Sequence, residues 1–368
     1  MQIIQFRRDL HRIPELDRDL PKTLAYLFDV LSPLDCVLSS PIPGSLCAFF
    51  DFRRDRAIAF RSDLDALPIR ETTGTEFDSV HPGRMHACGH DGHMAMLLDL
   101  AIWLDRQTDL PNNVLLVFQP AEETTGGARD LCRSGVFDRY RVRCIFGMHL
   151  WPEVPSGVIA TRRRELMIHS CAVSVEIRGH ASHIVRPREG IDALAAGVEF
   201  YRRAAALEAS FHPEMPHLLK FGRMDSGTAR NVISGSTIML GSLRAFQDDV
   251  YDGLQAGLAD IGRAIARETG CEISVRFSEG YPAVWNPPEL VDEVLRSGVS
   301  FRLLEDPVMI AEDFSWYQRY LPGLFFFLGT GPSPPLHADD FQFDETILQT
   351  GADFWKALAA NFKGGTLS

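Results

Sequence analysis

Asn113-Val-Leu-Leu-Val-Phe-Gln119, running into Pro120-Ala121-Glu122-Glu123, decides the fold. Five consecutive apolar residues leave no wet face, which is the pattern of an interior strand in a parallel sheet. The run ends on two adjacent carboxylates. Upstream, Met94 to Leu104 is almost entirely apolar and predicts a helix buried against that sheet. Further upstream, the runs Ser45 to Phe50 and Arg56 to Phe60 read as strands, and the second delivers Asp63 and Asp65 at its end. Downstream, Cys144 to His149 is another apolar strand that closes on a histidine, and Leu324 to Leu328 precedes His337. Strand, polar terminus and helix in repetition is the grammar of an α/β fold with a mixed, mostly parallel sheet. Strand ends are where such sheets place their chemistry.

The character of the chain changes near Leu166. Ser170 to Ile177, Ser236 to Leu243 and Glu272 to Phe277 alternate apolar and polar residues, the mark of a sheet with one solvated face. Helical stretches over Asp192 to Leu207 and Val250 to Glu268 separate them. The order β-α-β-β-α-β predicts an inserted α+β domain of ferredoxin-like form at 168–279. It interrupts a catalytic domain made of 1–167 and 280–368. At the N-terminus, apolar residues at 3, 6, 10 and 13 predict a helix that Pro14 stops, and a second follows Pro21.

Chemistry concentrates in Met85-His86-Ala87-Cys88-Gly89-His90-Asp91-Gly92-His93. Thiolate and imidazole donors at this density suit zinc and its borderline neighbours. With the strand-end groups Glu122, Glu123, His149 and His337 they suffice for two divalent metal ions, each with an open position. Adjacent residues leaving a strand point in opposite directions, so one of Glu122 and Glu123 can bind metal while the other faces water as a base. His86 and His93 read as hydrogen-bonded groups supporting the ligands. Asp65 reads as no more than an orienting partner of His90.

Composition narrows the partners. A net charge of −12 excludes the basic face that nucleic acid requires. No run of eighteen apolar residues exists, so no membrane span is expected. The N-terminal stretch lacks the apolar core of a signal peptide, and seven cysteines have no framework spacing, which together predict a cytoplasmic protein with reduced thiols.

Seven motifs, in order, resemble one family. They are Met-His-Ala-Cys-Gly-His-Asp-Gly-His at 85–93, Gln-Pro-Ala-Glu-Glu at 119–123, Gly-Met-His-Leu at 147–150, Gly-His-Ala-Ser-His at 179–183, Asn-Val-Ile at 231–233, Ala-Glu-Asp-Phe at 311–314 and the late His337. The chain is similar to the metal-dependent amidohydrolases of the aminoacylase/carboxypeptidase group, in the branch of hippurate hydrolase, auxin-conjugate hydrolases and N-acetyldiaminopimelate deacetylase. The resemblance implies a two-metal hydrolase that cleaves the amide of N-acyl amino acids, of N-acetyl or N-benzoyl type, with an exopeptidase (dipeptidase or carboxypeptidase) as the alternative. It implies Cys88, His90, Glu123, His149 and His337 as metal ligands and Glu122 as general base. It implies His183, Asn231 and Arg244 as substrate contacts, Arg244 gripping a carboxylate. Zinc is the default ion, and manganese, cobalt and nickel also fit. The inserted domain is implied to act as a lid and to form a homodimer. Where the family commonly continues Ala-Ala-x-Pro-His, this chain has Ile184-Val185-Arg186-Pro187-Arg188, and Ser234 replaces a usual proline. These departures bear on acyl and amino-acid preference, not on the chemistry.

Overall fold

A computed structural model describes residues 2–364 apart from 213 and 215. The chain divides into two compact units, one of Met1–Leu166, Trp285–Pro307 and Asp313–Ser368, the other of Met167–Val284 and Val308–Glu312.

The first unit is built on an eight-stranded sheet. Its strands are β1 (Val37–Ser39), β2 (Leu46–Phe50), β3 (Ala57–Asp63), β4 (Asn113–Gln119), β5 (Val142–Trp151), β6 (Ile159–Thr161), β7 (Arg302–Leu303) and β8 (Gly323–Gly329). Their spatial order is β1-β2-β4-β3-β5-β8-β6-β7. The central pairs β4–β3, β3–β5 and β5–β8 are all parallel. Antiparallel pairings appear towards the edges, at β1–β2, β2–β4 and β8–β6. Every residue of β4 is buried, as its unbroken apolar run requires. Parallel neighbours have their carboxyl ends on one side, so Asp63, the residues after Gln119, His149 and the residues after Gly329 gather along one edge of the sheet.

Three helices matter for that edge: α1 (Gln2–His11), α2 (Pro21–Leu31) and α3 (His90–Asp105). Helix α3 begins at His90, four residues before the apolar run that announced it. Its first turn, His90-Asp91-Gly92-His93, is buried although polar, so hydrophobic periodicity could not reveal it. Gly89 caps it at φ +82°, and a Cβ there would meet Leu150 Cδ1 at 2.7 Å. Glycine is the favoured residue at such a position. The C-terminal helix Ile347–Asn361 contributes Phe354, Trp355 and Leu358 to the same core.

The second unit carries a four-stranded antiparallel sheet of His169–Arg178, His217–Ser226, Ser236–Ala245 and Glu272–Phe277. The order in space is second, third, first, fourth. Two helices, Ala193–Ser210 and Asp248–Thr269, complete the β-α-β-β-α-β sequence of a ferredoxin-like unit. Asp192 caps the first helix, its carboxylate accepting from the backbone N–H groups of Leu194 and Ala195. The core is Val173, Val175, Ile177, Phe200, Leu243 and Leu254 with their neighbours.

Candidate metal centre

Three loops, the start of α3 and the strand β5 of the first unit bring the predicted donors together. Cys88 Sγ lies 3.4 Å from His149 Nε2. A Glu123 carboxylate oxygen lies 3.3 Å from His337 Nε2 and 3.8 Å from His90 Nε2. Donor atoms of Cys88, Glu123 and His337 fall within 4.8 Å of one another, and so do those of His90, Glu122 and Glu123. The two groups share Glu123, which is the arrangement a pair of ions needs.

Local backbone geometry explains the convergence. Ala121 follows the strand at φ +60°, a conformation uncommon outside glycine, and turns the chain sharply. Glu122 and Glu123 therefore leave from a turn, not from an extended strand, and the alternation argument fails here: both carboxylates face the same cluster. Asp65 fixes this turn. Its two carboxylate oxygens accept from the backbone N–H groups of Glu122 at 2.9 Å and Glu123 at 3.0 Å. Asp65 does orient His90, but through its backbone carbonyl, which lies 2.7 Å from His90 Nδ1. Its carboxylate has the larger task of holding the glutamates. His337 also adopts positive φ, +67°, and its backbone N–H donates to the Ala87 carbonyl at 2.9 Å. The late loop is thereby tied to the residue preceding Cys88.

The donors suit divalent metal. His90 and His149 each place Nδ1 2.7 Å from a backbone carbonyl, of Asp65 and Leu150 respectively. That contact fixes the proton on Nδ1 and leaves the Nε2 lone pair for a cation. His90 Nε2 is buried with no hydrogen-bond partner, an expense that metal coordination would remove. Burial brings His149 down to about 3, so its imidazole is neutral, as a ligand must be. Burial pushes the Glu123 carboxyl up, but the hydrogen bond with His337 and the charges of His90 and His337 together outweigh it and bring the group down to about 2. The same bond raises His337. Burial, with the charges of Glu123 and Glu122, holds the Cys88 thiol well above its ordinary value. Catalytic thiols sit in electropositive surroundings that lower them, so Cys88 is suited to a cation and not to unaided nucleophilic attack.

Sequence reading passed over the buried polar web beneath this cluster. Arg61 donates to Asp63, Gln119 and Asp313, each at 2.8 Å. Gln119 Nε2 donates to Asp313, and Tyr317 Oη donates to Gln119 Oε1. Arginine in an apolar strand flanked by acidic residues was the available signal. His183, Asn231 and Arg244 lie in the second unit. His183 and Asn231 adjoin: Val232 pairs with His183 in a short antiparallel bridge, and Ile184 N–H donates to the Asn231 carbonyl at 3.0 Å. Arg244 Nη1 donates to the Met309 carbonyl at 2.7 Å.

Comparison with known proteins identifies the family. An N-acetyldiaminopimelate deacetylase of Streptococcus uberis is 33% identical over 97% of the chain and 98% of its own length. The thermostable carboxypeptidase 2 of Saccharolobus solfataricus is 34% identical over 98% and 95%. Among solved structures, the YXEP protein of Bacillus subtilis, described as a dinuclear metal-binding peptidase, superposes with a TM-score of 0.84 at 29% identity, covering 97% of this chain and 96% of that one. Residues 59–361 match the profile of peptidase family M20/M25/M40. With these carboxylate, thiol and imidazole groups gathered at the carboxyl ends of β4 and β5 and the start of α3, the chain belongs to that family of metal-dependent hydrolases.

Proposed function

We propose that the protein hydrolyses the amide bond of N-acyl amino acids, releasing a carboxylate and a free amino acid, with Glu122 as acid–base catalyst. The observation that carries this reading is a carboxylate seated beside a set of donors chemically suited to two cations. Cys88, His90, Glu123, His149 and His337 would hold the ions. When bound, such a pair lowers the pKa of water and polarises a carbonyl. Glu122 takes the proton of the attacking water and later delivers it to the departing nitrogen. The Asp65 carboxylate keeps Glu122 in place through its backbone N–H. Thiolate and imidazole donors favour zinc, with manganese, cobalt or nickel as substitutes.

His183 would polarise the scissile carbonyl and hold the oxyanion, Asn231 would contact the substrate, and Arg244 would clamp its carboxylate. The inserted domain expected at 168–279 would serve as lid and homodimer interface. Leu194, Val198 and Tyr201 support this: spaced along one helix, all three side chains are exposed. A sedimentation measurement showing a monomer at micromolar concentration would remove the dimer from the proposal. The described residues include no helix long and apolar enough to cross a membrane. A cytoplasmic enzyme fits free cysteines throughout.

A second reading, exopeptidase action on dipeptides, is favoured by the 34% identity to a carboxypeptidase. Hydrolysis of N-acetyl, N-benzoyl and dipeptide panels under defined metal loading separates the two. Glu122→Gln should lower kcat by roughly 100- to 10,000-fold with metal content unchanged. Undiminished turnover by that variant would refute the assignment.

A further inference from the structure

His93 stands three residues after His90 on α3, with only 2% of its side chain exposed. One of its nitrogens lies in a cluster with Asp63, His90 and His149 whose donor atoms are within 4.8 Å of one another. On proximity alone it would count as a ligand. Its hydrogen bonds argue otherwise. The Leu150 backbone N–H donates to Nε2 at 3.0 Å, so the ring proton resides on Nδ1. That Nδ1 lies 2.7 Å from Asp63 Oδ1 and donates to it. Both nitrogens are engaged, and no lone pair remains for a cation.

The contacts of this ring lead to a neighbour that does have a lone pair to offer. Leu150 directly follows His149 at the carboxyl end of β5. The His93 ring also stands against the His149 ring, with centroids 4.5 Å apart and planes at 65°. At the other end, Asp63 is held by Arg61 through its second oxygen at 2.8 Å. Arg61, Asp63, His93 and the Leu150 amide thus form one buried chain from β3 across α3 to β5. Its last link lies one residue from His149, whose Nε2 faces Cys88.

We propose that His93 is a positioning residue, not a ligand: it bridges Asp63 to the Leu150 amide and so aims His149 at the metal centre. The requirement is a side chain that donates to a carboxylate with one atom and accepts from an amide with another. Glutamine meets it, since its amide nitrogen donates and its oxygen accepts. Leucine has comparable bulk and meets neither half. The partners that support a metal-binding histidine typically contribute 10- to 100-fold in metal affinity.

This inference rests on the metal-centre reading above, and cobalt(II) titration of the whole protein tests the two separately. Binding is followed by competition with a chromogenic chelator and by the thiolate-to-cobalt absorption of Cys88. Parent protein that takes up no cobalt would defeat the metal-centre reading itself. Given uptake, His93→Leu should weaken binding by about 10- to 100-fold. His93→Gln should stay within about threefold of the parent, and both variants should bind two ions at saturation. Should His93→Leu not fold, His93→Asn, polar but too short to span both partners, takes its place with the same expected weakening. Equal weakening in the glutamine variant with loss of one ion would make His93 a ligand. Parent-like binding by His93→Leu or, in its stead, His93→Asn would make it mere filling. Either result overturns the proposal.

Discussion

Replacing Asp65 by asparagine tests how the catalytic turn is held. Asp65 is buried, and its carboxylate accepts from two consecutive backbone N–H groups, those of Glu122 and Glu123. Hydrogen bonds to a charged acceptor contribute about 1.5–3 kcal/mol each. In Asp65→Asn one oxygen becomes an NH2 that confronts an N–H donor, so one bond is lost and the turn is held by the other alone. A loosening of about 2–3 kcal/mol corresponds to roughly 30- to 150-fold in turnover. Overall stability should respond much less. Burial, together with the charge of Glu123, pushes the Asp65 carboxyl well above the usual range although both amides stabilise its charged form. Removing that charge relieves a penalty of the same order as the bond lost. The expected signature is therefore slow turnover of an N-acetylated amino acid under saturating metal, with a Tm close to that of the parent. Activity within about threefold of the parent would refute the reasoning, because the second amide contact would then be dispensable.

Two further outcomes follow from geometry. A Cβ on Gly127 would lie 2.1 Å from the Pro120 carbonyl oxygen, so Gly127→Ala must move the backbone that leads into Glu122; turnover should fall by about 100-fold, the effect of a displacement near 1 Å. His11 is set between Asp91 at 2.7 Å and Glu71 at 2.9 Å, with Arg7 and His86 also facing it; burial opposes its protonation, but the two carboxylates prevail and raise it. Its contribution to stability is complete below the unfolded value of about 6.5 and disappears as pH rises through the higher folded value. Urea unfolding should show stability declining above about pH 6.5, by at most about 1.4 kcal/mol per unit, and His11→Gln should flatten that slope. A parent protein equally stable across this range would exclude the role.

The elements legible in the sequence were those whose apolar pattern is unbroken or alternating. The strand at 113–119 and the strand at 272–277 have the bounds their patterns indicate. The β-α-β-β-α-β order of the second unit was readable for the same reason. What escaped notice depends on tertiary partners. The first turn of α3 is polar yet buried, because Asp91 meets Arg7 and His11 from α1, and His93 meets Asp63. No local pattern records such pairings. The candidate donors and Glu122 could be named because the motifs that carry them resemble those of one amidohydrolase family. The double role of Asp65 could not, since it depends on Ala121 adopting positive φ, and alanine carries no signal for that conformation.

One feature of the sheet bears on how the protein is made. Strand β8 is next to β5 in space, yet about 170 residues separate Gly323 from the end of Trp151 in the sequence, and His337 comes later still. During synthesis His337 leaves the ribosome only after Cys88, His90, Glu123 and His149. On the proposed ligand set, cation capture would therefore be a late event of maturation.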